Sequence, residues 1–232
     1  MCGRFVQHAD PEIYASRYAV DDIADPGDAR PRCNVAPTQP ILAIRAGRDG
    51  GRQLLPLRWG LVPHWSKGPD NRYSMINARA ESVHQKPAYR SAFRQRRCLI
   101  PAEGFYEWRA LAGGKQPYLI RRDDGAPFTM AGLWETWQDK DSGEEIRSCT
   151  IIVTDANDLI RPLHDRMPVI LAEESHAEWL DPDHADAEAL RALLVPADSG
   201  GWTRYPVSKS VNSPRNDGAE LLEPVELPGQ DD

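Results

Sequence analysis

Apolar and polar residues alternate in short runs along most of the chain, interrupted by Gly, Pro or charged clusters. The segments "CLIPAEGFYEW", "QPYLIRR", "PFTMAGLWETW", "RSCTIIVTDAN" and "DRMPVILA" are rich in β-branched and aromatic residues. Each predicts a strand. "RQLLPLRWGLVPHW" predicts a strand that breaks into a turn. "PRCNVAPTQPILAIRAG" reads as a proline-punctuated loop entering a strand, and "GWTRYPVSKSV" as a final strand. Helical periodicity is confined to short stretches. "DPEIYASRYAV" predicts a helix with Asp10 as N-cap and Pro11 at its first position. "YRSAFRQRR" predicts a basic helix, and "EESHAEWL" and "ADAEALRALLV" two acidic surface helices. "RYSMINARAES" runs from a strand into a helical start. This order lacks regular β–α–β alternation, which argues against a doubly wound sheet. No internal repeat or linker divides the chain. From about Ser213 the composition turns to Pro, Gly, Asp and Glu, so one domain is expected over residues 1–212, followed by a disordered acidic tail over 213–232.

Composition sharpens this picture. The chain has 232 residues, of which 41% are hydrophobic, enough for a real core. No apolar run approaches the roughly 20 residues that span a bilayer, and "MCGRFVQHAD" lacks the apolar stretch of a secretory signal. A cytoplasmic protein is expected. The four cysteines, Cys2, Cys33, Cys98 and Cys149, are far apart with no C-x-x-C pair. That spacing argues against zinc and against a disulfide framework. Cys98 and Cys149 read as small core residues. The net charge of −7 is uneven: the window from Arg58 to Arg97 carries +7 and the remainder −14. A basic face on an acidic body still attracts phosphates, because surface potentials are local. A solvated helix face is the plainer explanation of the same window.

Five segments combine polar groups with apolar flanks. "MCGRF" offers Cys2 and Arg4. "SMINARAES" offers Asn77, Arg79 and Glu81. "PAEGFYEW" offers Glu103 and Glu107. "VTDAN" offers Thr154, and "LHDRMPVIL" offers His164, Asp165 and Arg166. Removal of Met1 would leave Cys2 with an α-amine and a thiol on adjacent carbons, a 1,2-aminothiol. A Cys, Glu, His and Asn set suits covalent chemistry on a carbonyl: a nucleophile, proton carriers and hydrogen-bond donors to the electrophile. Each member has an ordinary explanation too. A terminal Cys is frayed, a His at a strand entry is structural, a Glu beside aromatics is a paired acid, and Asn-Ala-Arg is a helix cap. No G-x-S-x-G, P-loop or G-x-G-x-x-G occurs.

The motifs "MCGRF", "NVAPTQ", "RWGLVPHW", "NARAES", "RCLIPAEGFYEW", "FTMAGLWE", "IIVTDAN" and "HDRMPVIL" occur in this order. Together they closely resemble the SOS response-associated peptidase (SRAP) family, from Cys2 to about Val211. The resemblance implies a single α+β domain with a barrel-like, mainly antiparallel β core and flanking short helices. It implies a covalent crosslink to abasic sites in single-stranded DNA that shields the lesion. It implies removal of Met1, by the chain itself or by processing, and a lyase-like capacity to reverse the crosslink. Cys2, Asn77, Glu107 and His164 fall on the family's active-site positions. Arg4, Arg79, Thr154 and Arg166 fall on phosphate- or sugar-contacting positions. Pro40 and Ile41 match a wedge entering the DNA stack, Trp108 matches an aromatic that packs on a base, and Trp65 lies in a further DNA-contacting motif. No cofactor, metal or membrane is implied. A monomer, nucleoid-associated when on DNA, suffices for a one-to-one trap. Two other readings of the same residues are an N-terminal-nucleophile peptidase acting on external substrates and a non-covalent single-strand binding module.

Overall fold

A computed structural model describes residues 2–47, 49–69, 75–111, 113–184 and 186–227. In chain order the elements are β1 (Phe5–Gln7), α1 (Pro11–Arg17), β2 (Asp22–Ile23), β3 (Arg32–Val35), β4 (Pro40–Ala46), β5 (Arg52–Trp59), β6 (Asn77–Arg79) and α2 (Arg90–Gln95). There follow β7 (Arg97–Ala102), β8 (Gly104–Leu111), β9 (Gly114–Arg122), β10 (Phe128–Gln138), β11 (Glu145–Asp155), β12 (Arg166–Pro168) and β13 (Ile170–Leu171). The chain continues through α3 (His176–Leu180), α4 (Ala187–Ala192) and β14 (Trp202–Pro206). Short 3₁₀ turns cover Glu173–Ser175, Lys209–Asn212 and Ala219–Leu222.

Two sheets organise these strands. In the larger one, β11, β10, β7, β4 and β5 pair in that order. The parallel register Ser148↔Arg58 and Cys149↔Trp59 joins β5 back to β11 and closes a five-stranded barrel. Alternate residues then take opposite faces. Ile41, Ala43, Cys98, Ile100, Cys149, Ile151 and Val153 join one core cluster, which fills the barrel. Leu42, Ile44, Leu99 and Ile152 join a second, packed by the helices. Gly132 is required where β10 packs closely between β7 and β11: a Cβ there would stand 2.9 Å from Cys98 Sγ and 3.1 Å from the Thr150 carbonyl. The smaller sheet, in the order β14-β9-β8-β1-β3, lays Phe5, Phe105 and Ile120 onto the barrel core. The expected barrel-like α+β fold is thus a closed barrel with a second sheet against it. No described helix is long and apolar enough to cross a membrane.

Local signals in the sequence explain several elements. Asp10 caps α1, its carboxylate accepting from Glu12 N at 2.9 Å, with Pro11 in the first turn. The β10–β11 hairpin turns where Asp139 accepts from Asp141 N at 2.9 Å and Ser142 N at 2.7 Å, and Gly143 takes φ 76°.

The basic window is not one DNA-facing surface. Arg97 is buried, and its guanidinium donates to the carbonyls of Phe93, Arg94, Trp179, Asp181 and His184. It satisfies carbonyls near the ends of α2 and α3 that have no partner within their helices. Arg96 pairs with Glu135 at 2.8 Å, and Arg58 donates to Gly60 O at 2.9 Å. Nor does the chain lose structure at Ser213. Val207, Val211 and Leu221 pack with Val6, Tyr106 and Leu119 on the outer face of the smaller sheet, and Val207 bridges Pro224. The apolar residues Val211 and Leu221, diluted among polar neighbours, suffice to bury this segment. Of the expected tail, 228–232 lie outside the described residues.

Candidate functional site

Cys2 is fully buried, in the cluster that fills the barrel. Its carbonyl accepts from Asn77 Nδ2 at 2.8 Å. Asn77 opens β6, which runs parallel to β11 with Asn77 opposite Ile151, and the Asn77 carbonyl accepts from Tyr89 Oη at 3.3 Å. Glu107 comes from β8, where side chains alternate across the sheet. Phe105 faces the barrel core, whereas Tyr106 and Trp108 pack in the outer cluster. Glu107 therefore shares the inner side with Phe105 and acts on Cys2: burial first, then the Glu107 charge, pushes the Cys2 thiol well up. The thiol is held protonated. Burial also raises Glu107, against the positive charge of the amino terminus.

His164 lies in the turn between β11 and β12. Burial, then the amino-terminal charge, lowers its pKa, and Asp165 opposes them. The ring is neutral near pH 7. Its Nδ1 accepts from Arg166 N at 3.0 Å, which leaves the hydrogen on Nε2. Asp165 Oδ1 stands 2.7 Å from the same Nδ1 and takes over that nitrogen when the ring is protonated. Two partners for one nitrogen suit a residue that passes protons. Cys2, Asn77 and Glu107 are thus brought together, through the Asn77 bond to the Cys2 carbonyl and the Glu107 charge on its thiol.

The cationic residues divide. Arg79 is exposed at the end of β6. Arg166 is held by Glu81 and by Asp155, the latter at 3.2 Å. Burial raises Glu81, but the Arg166 hydrogen bond and the charges of Arg166 and Arg79 outweigh it and lower the pKa. Thr154, buried, pairs across the ladder with Met167 next to Arg166. Arg4 is half-buried; its NH1 donates to Asn34 Oδ1 at 2.8 Å and to Val211 O at 2.7 Å.

Among the wedge and aromatic positions, Ile41 departs from expectation. Ile41 is 1% exposed and points into the barrel, so its side chain is not a surface wedge. β4 is apolar on both faces, and a wedge and a core residue look alike in such a strand. Pro40 is half-buried at the start of β4, and Thr38, exposed with φ 74°, marks the turn before it. Trp108 lies on the opposite side of β8 from Glu107, its Nε1 donating to Asn212 Oδ1 at 2.7 Å. Trp65 is 59% exposed. Its loop is fixed by His64 Nδ1–Glu135 Oε2 at 2.9 Å and by Trp137 Nε1 donating to Ser66 O at 2.9 Å. Among the described residues no group of three His, Cys, Asp or Glu side chains gathers as a metal site.

Sequence reasoning missed Asn34 and Asn212. The only signal was the "NVAPTQ" motif itself, whose asparagine carried no assigned task.

The sequence model of the SOS response associated peptidase family matches residues 1–214. The chain is 43% identical to the abasic site processing protein YoaM of Bacillus subtilis over 225 residues, 96% of this chain and 98% of that one. It is 34% identical to the abasic site processing protein YedK of Escherichia coli over 231 residues, 97% of this chain and all of that one. A crystal structure of a protein from Bacteroides thetaiotaomicron superposes with a TM-score of 0.86 at 28% identity, covering 97% of this chain and all of that one. With that span of matched sequence and a shared fold, the chain belongs to the SOS response associated peptidase family.

Proposed function

We propose that this protein captures abasic sites in single-stranded DNA by forming a thiazolidine between Cys2 and the ring-opened sugar, shielding the lesion. The observation that carries the reading is the environment of Cys2. It is not a frayed end: it is buried, held at its carbonyl by Asn77, and set against Glu107. The relatives named as abasic site processing proteins support the substrate class.

The chemistry follows from the groups present. With Met1 attached, the Cys2 nitrogen is an amide; its removal releases an α-amine with a pKa of roughly 7.7–8.0. Ring opening breaks the C1′–O4′ bond, the C1′ hydroxyl losing a proton and O4′ gaining one. Glu107, protonated more readily than an ordinary carboxyl, and the neutral His164 divide these transfers. The amine adds to C1′ and water leaves, giving an imine. The sulfur then adds to C1′, and the S–H proton passes through Glu107 or His164 to the nitrogen. The net change is condensation of an aldehyde with an aminothiol and loss of water. A thiol held protonated fits this order, amine first and sulfur second. Ring closure is intramolecular, which raises its effective concentration greatly. The same proton carriers serve the reverse reaction. Arg79 and Arg166 supply the sequence-independent attraction to phosphates, and exposed Trp65 offers a stacking face.

The test is a denaturing gel of the protein with uracil-containing single-stranded DNA, with and without uracil glycosylase. A heat-stable shifted band that requires the glycosylase is expected. Its absence, with DNA still bound under native conditions, would leave a non-covalent binder and overturn the proposal.

A further inference from the structure

Asn34 is 1% exposed and sits in β3, paired with β1 through Phe5↔Val35. Its Oδ1 accepts from Arg4 NH1 at 2.8 Å. Its Nδ2 faces the carbonyls of Val211 at 3.2 Å, Ser213 at 3.1 Å and Asn216 at 2.7 Å. Its backbone N–H donates to Asp217 Oδ1 at 3.0 Å. One planar amide thus meets a cation on one side and a ring of carbonyls on the other. Only Asn or Gln combines an acceptor with two donors in this way, and the shorter side chain fits the fully buried site.

The segment that Asn34 pins is the one that reaches Trp108. Asn212 follows Val211, and its Oδ1 holds the indole Nε1 at 2.7 Å. Arg4 is two residues from Cys2, and Trp108 is next to Glu107. Arg4 NH1 also bonds Val211 O at 2.7 Å, so the cation and the segment are locked to each other as well as to Asn34.

We propose that Asn34 is a positioning residue for DNA capture: it fixes Arg4 directly, and Trp108, on the outer side of β8, through the 211–217 segment. The proposal rests on the DNA-capture reading above and names a residue that reading does not use. Asn34 touches neither the sugar nor the reacting atoms, so its effect falls on how DNA is held and not on bond formation.

The experiment measures crosslinking rate against the concentration of abasic single-stranded DNA, separating the half-saturating concentration from the plateau rate. Asn34→Asp keeps the acceptor for Arg4 but turns a carboxylate toward three carbonyls and releases the segment. It should raise the half-saturating concentration by at least about tenfold with the plateau within about twofold. Asn212→Ala, on the exposed surface, removes the Trp108 bond alone and should raise it about fivefold. Trp108 emission should change in both. If Asn34→Asp does not fold, Asn212→Ala decides. An unchanged half-saturating concentration in the folded variants, or a loss confined to the plateau, would overturn the proposal. Failure of the parent to crosslink would instead count against the capture chemistry. Fluorescence anisotropy on undamaged single-stranded DNA would then still report whether the two variants bind more weakly.

Discussion

Glu103 and Glu107 lie four residues apart, both buried, at 7% and 2% exposure. Glu103 sits at the bend between β7 and β8. It accepts from Tyr14 Oη at 2.6 Å and His8 N at 2.7 Å, and meets His8 Nδ1 at 2.8 Å. Its oxygens tie the end of β1 to α1. Glu107 faces the opposite way in function: burial dominates its ionisation and raises its pKa, and its charge bears on the Cys2 thiol. The same residue type at similar burial is a tie in one place and, in the proposed mechanism, a proton carrier in the other. The partners decide. Three donors make Glu103 a structural tie, whereas a carboxyl buried against a thiol has a reason to exchange its proton.

The comparison breaks most readily by exchange. Glu107→Gln should slow crosslinking by about a hundredfold, because a carboxamide cannot exchange the proton. Its stability should be equal or higher, since no charge is then buried. Glu103→Gln should leave the crosslinking rate within a fewfold but lose about 2 kcal/mol of stability, because the amide cannot accept from all three donors as a carboxylate does. Rates from gel time courses and stability from urea unfolding check both; equal rate losses in the two variants would remove the distinction.

A smaller effect concerns capture. Arg79→Ala and Arg166→Ala should each lower the crosslinking rate at limiting DNA by about tenfold at low salt, and less at high salt. Arg166→Ala should also relax Glu81 toward an ordinary carboxyl, because it loses the bond that lowers it. Rates that do not respond to salt in the parent would contradict a phosphate-steered encounter.

The smallest effect lies at His8. The hydrogen bond from His8 to Glu103 raises the His8 pKa, burial and Arg121 opposing. A raised histidine stabilises the fold fully below its unfolded value of roughly 6.5, and that contribution is lost as pH rises through the folded value. His8 is 43% exposed, so solvent screening keeps the effect under about 1 kcal/mol. Urea unfolding between pH 5 and 9 should show a shallow decline that is absent in His8→Ala.

Much of this was legible in the sequence. Runs of β-branched and aromatic residues between turn signals mark β7, β8, β10 and β11, and Asp10-Pro11 marks α1, because those signals are local. Closure of the barrel is not local: the parallel step Cys149↔Trp59 joins residues far apart in sequence and leaves no pattern in either. Asn77 was legible only through its motif, since its bond to the Cys2 carbonyl spans 75 residues. Ile41 misled because both faces of β4 are buried, Ile41 and Ala43 inside and Leu42 and Ile44 outside. Arg97 misled because counting charge does not distinguish a guanidinium wrapped in carbonyls from one facing solvent.

The central claim is that amine and thiol of Cys2 act together, and the most direct test blocks one and spares the other. A chain that keeps Met1, or carries one added residue before Cys2, retains the thiol, Glu107, His164 and the cationic residues. The measurement is mass spectrometry of the amino-terminal peptide after reaction with abasic single-stranded DNA, beside a denaturing gel. The account predicts DNA binding without a stable adduct on the blocked chain, and on the unblocked chain an adduct lighter than the summed reactants by one water. A stable adduct on the amine-blocked chain would contradict the thiazolidine mechanism.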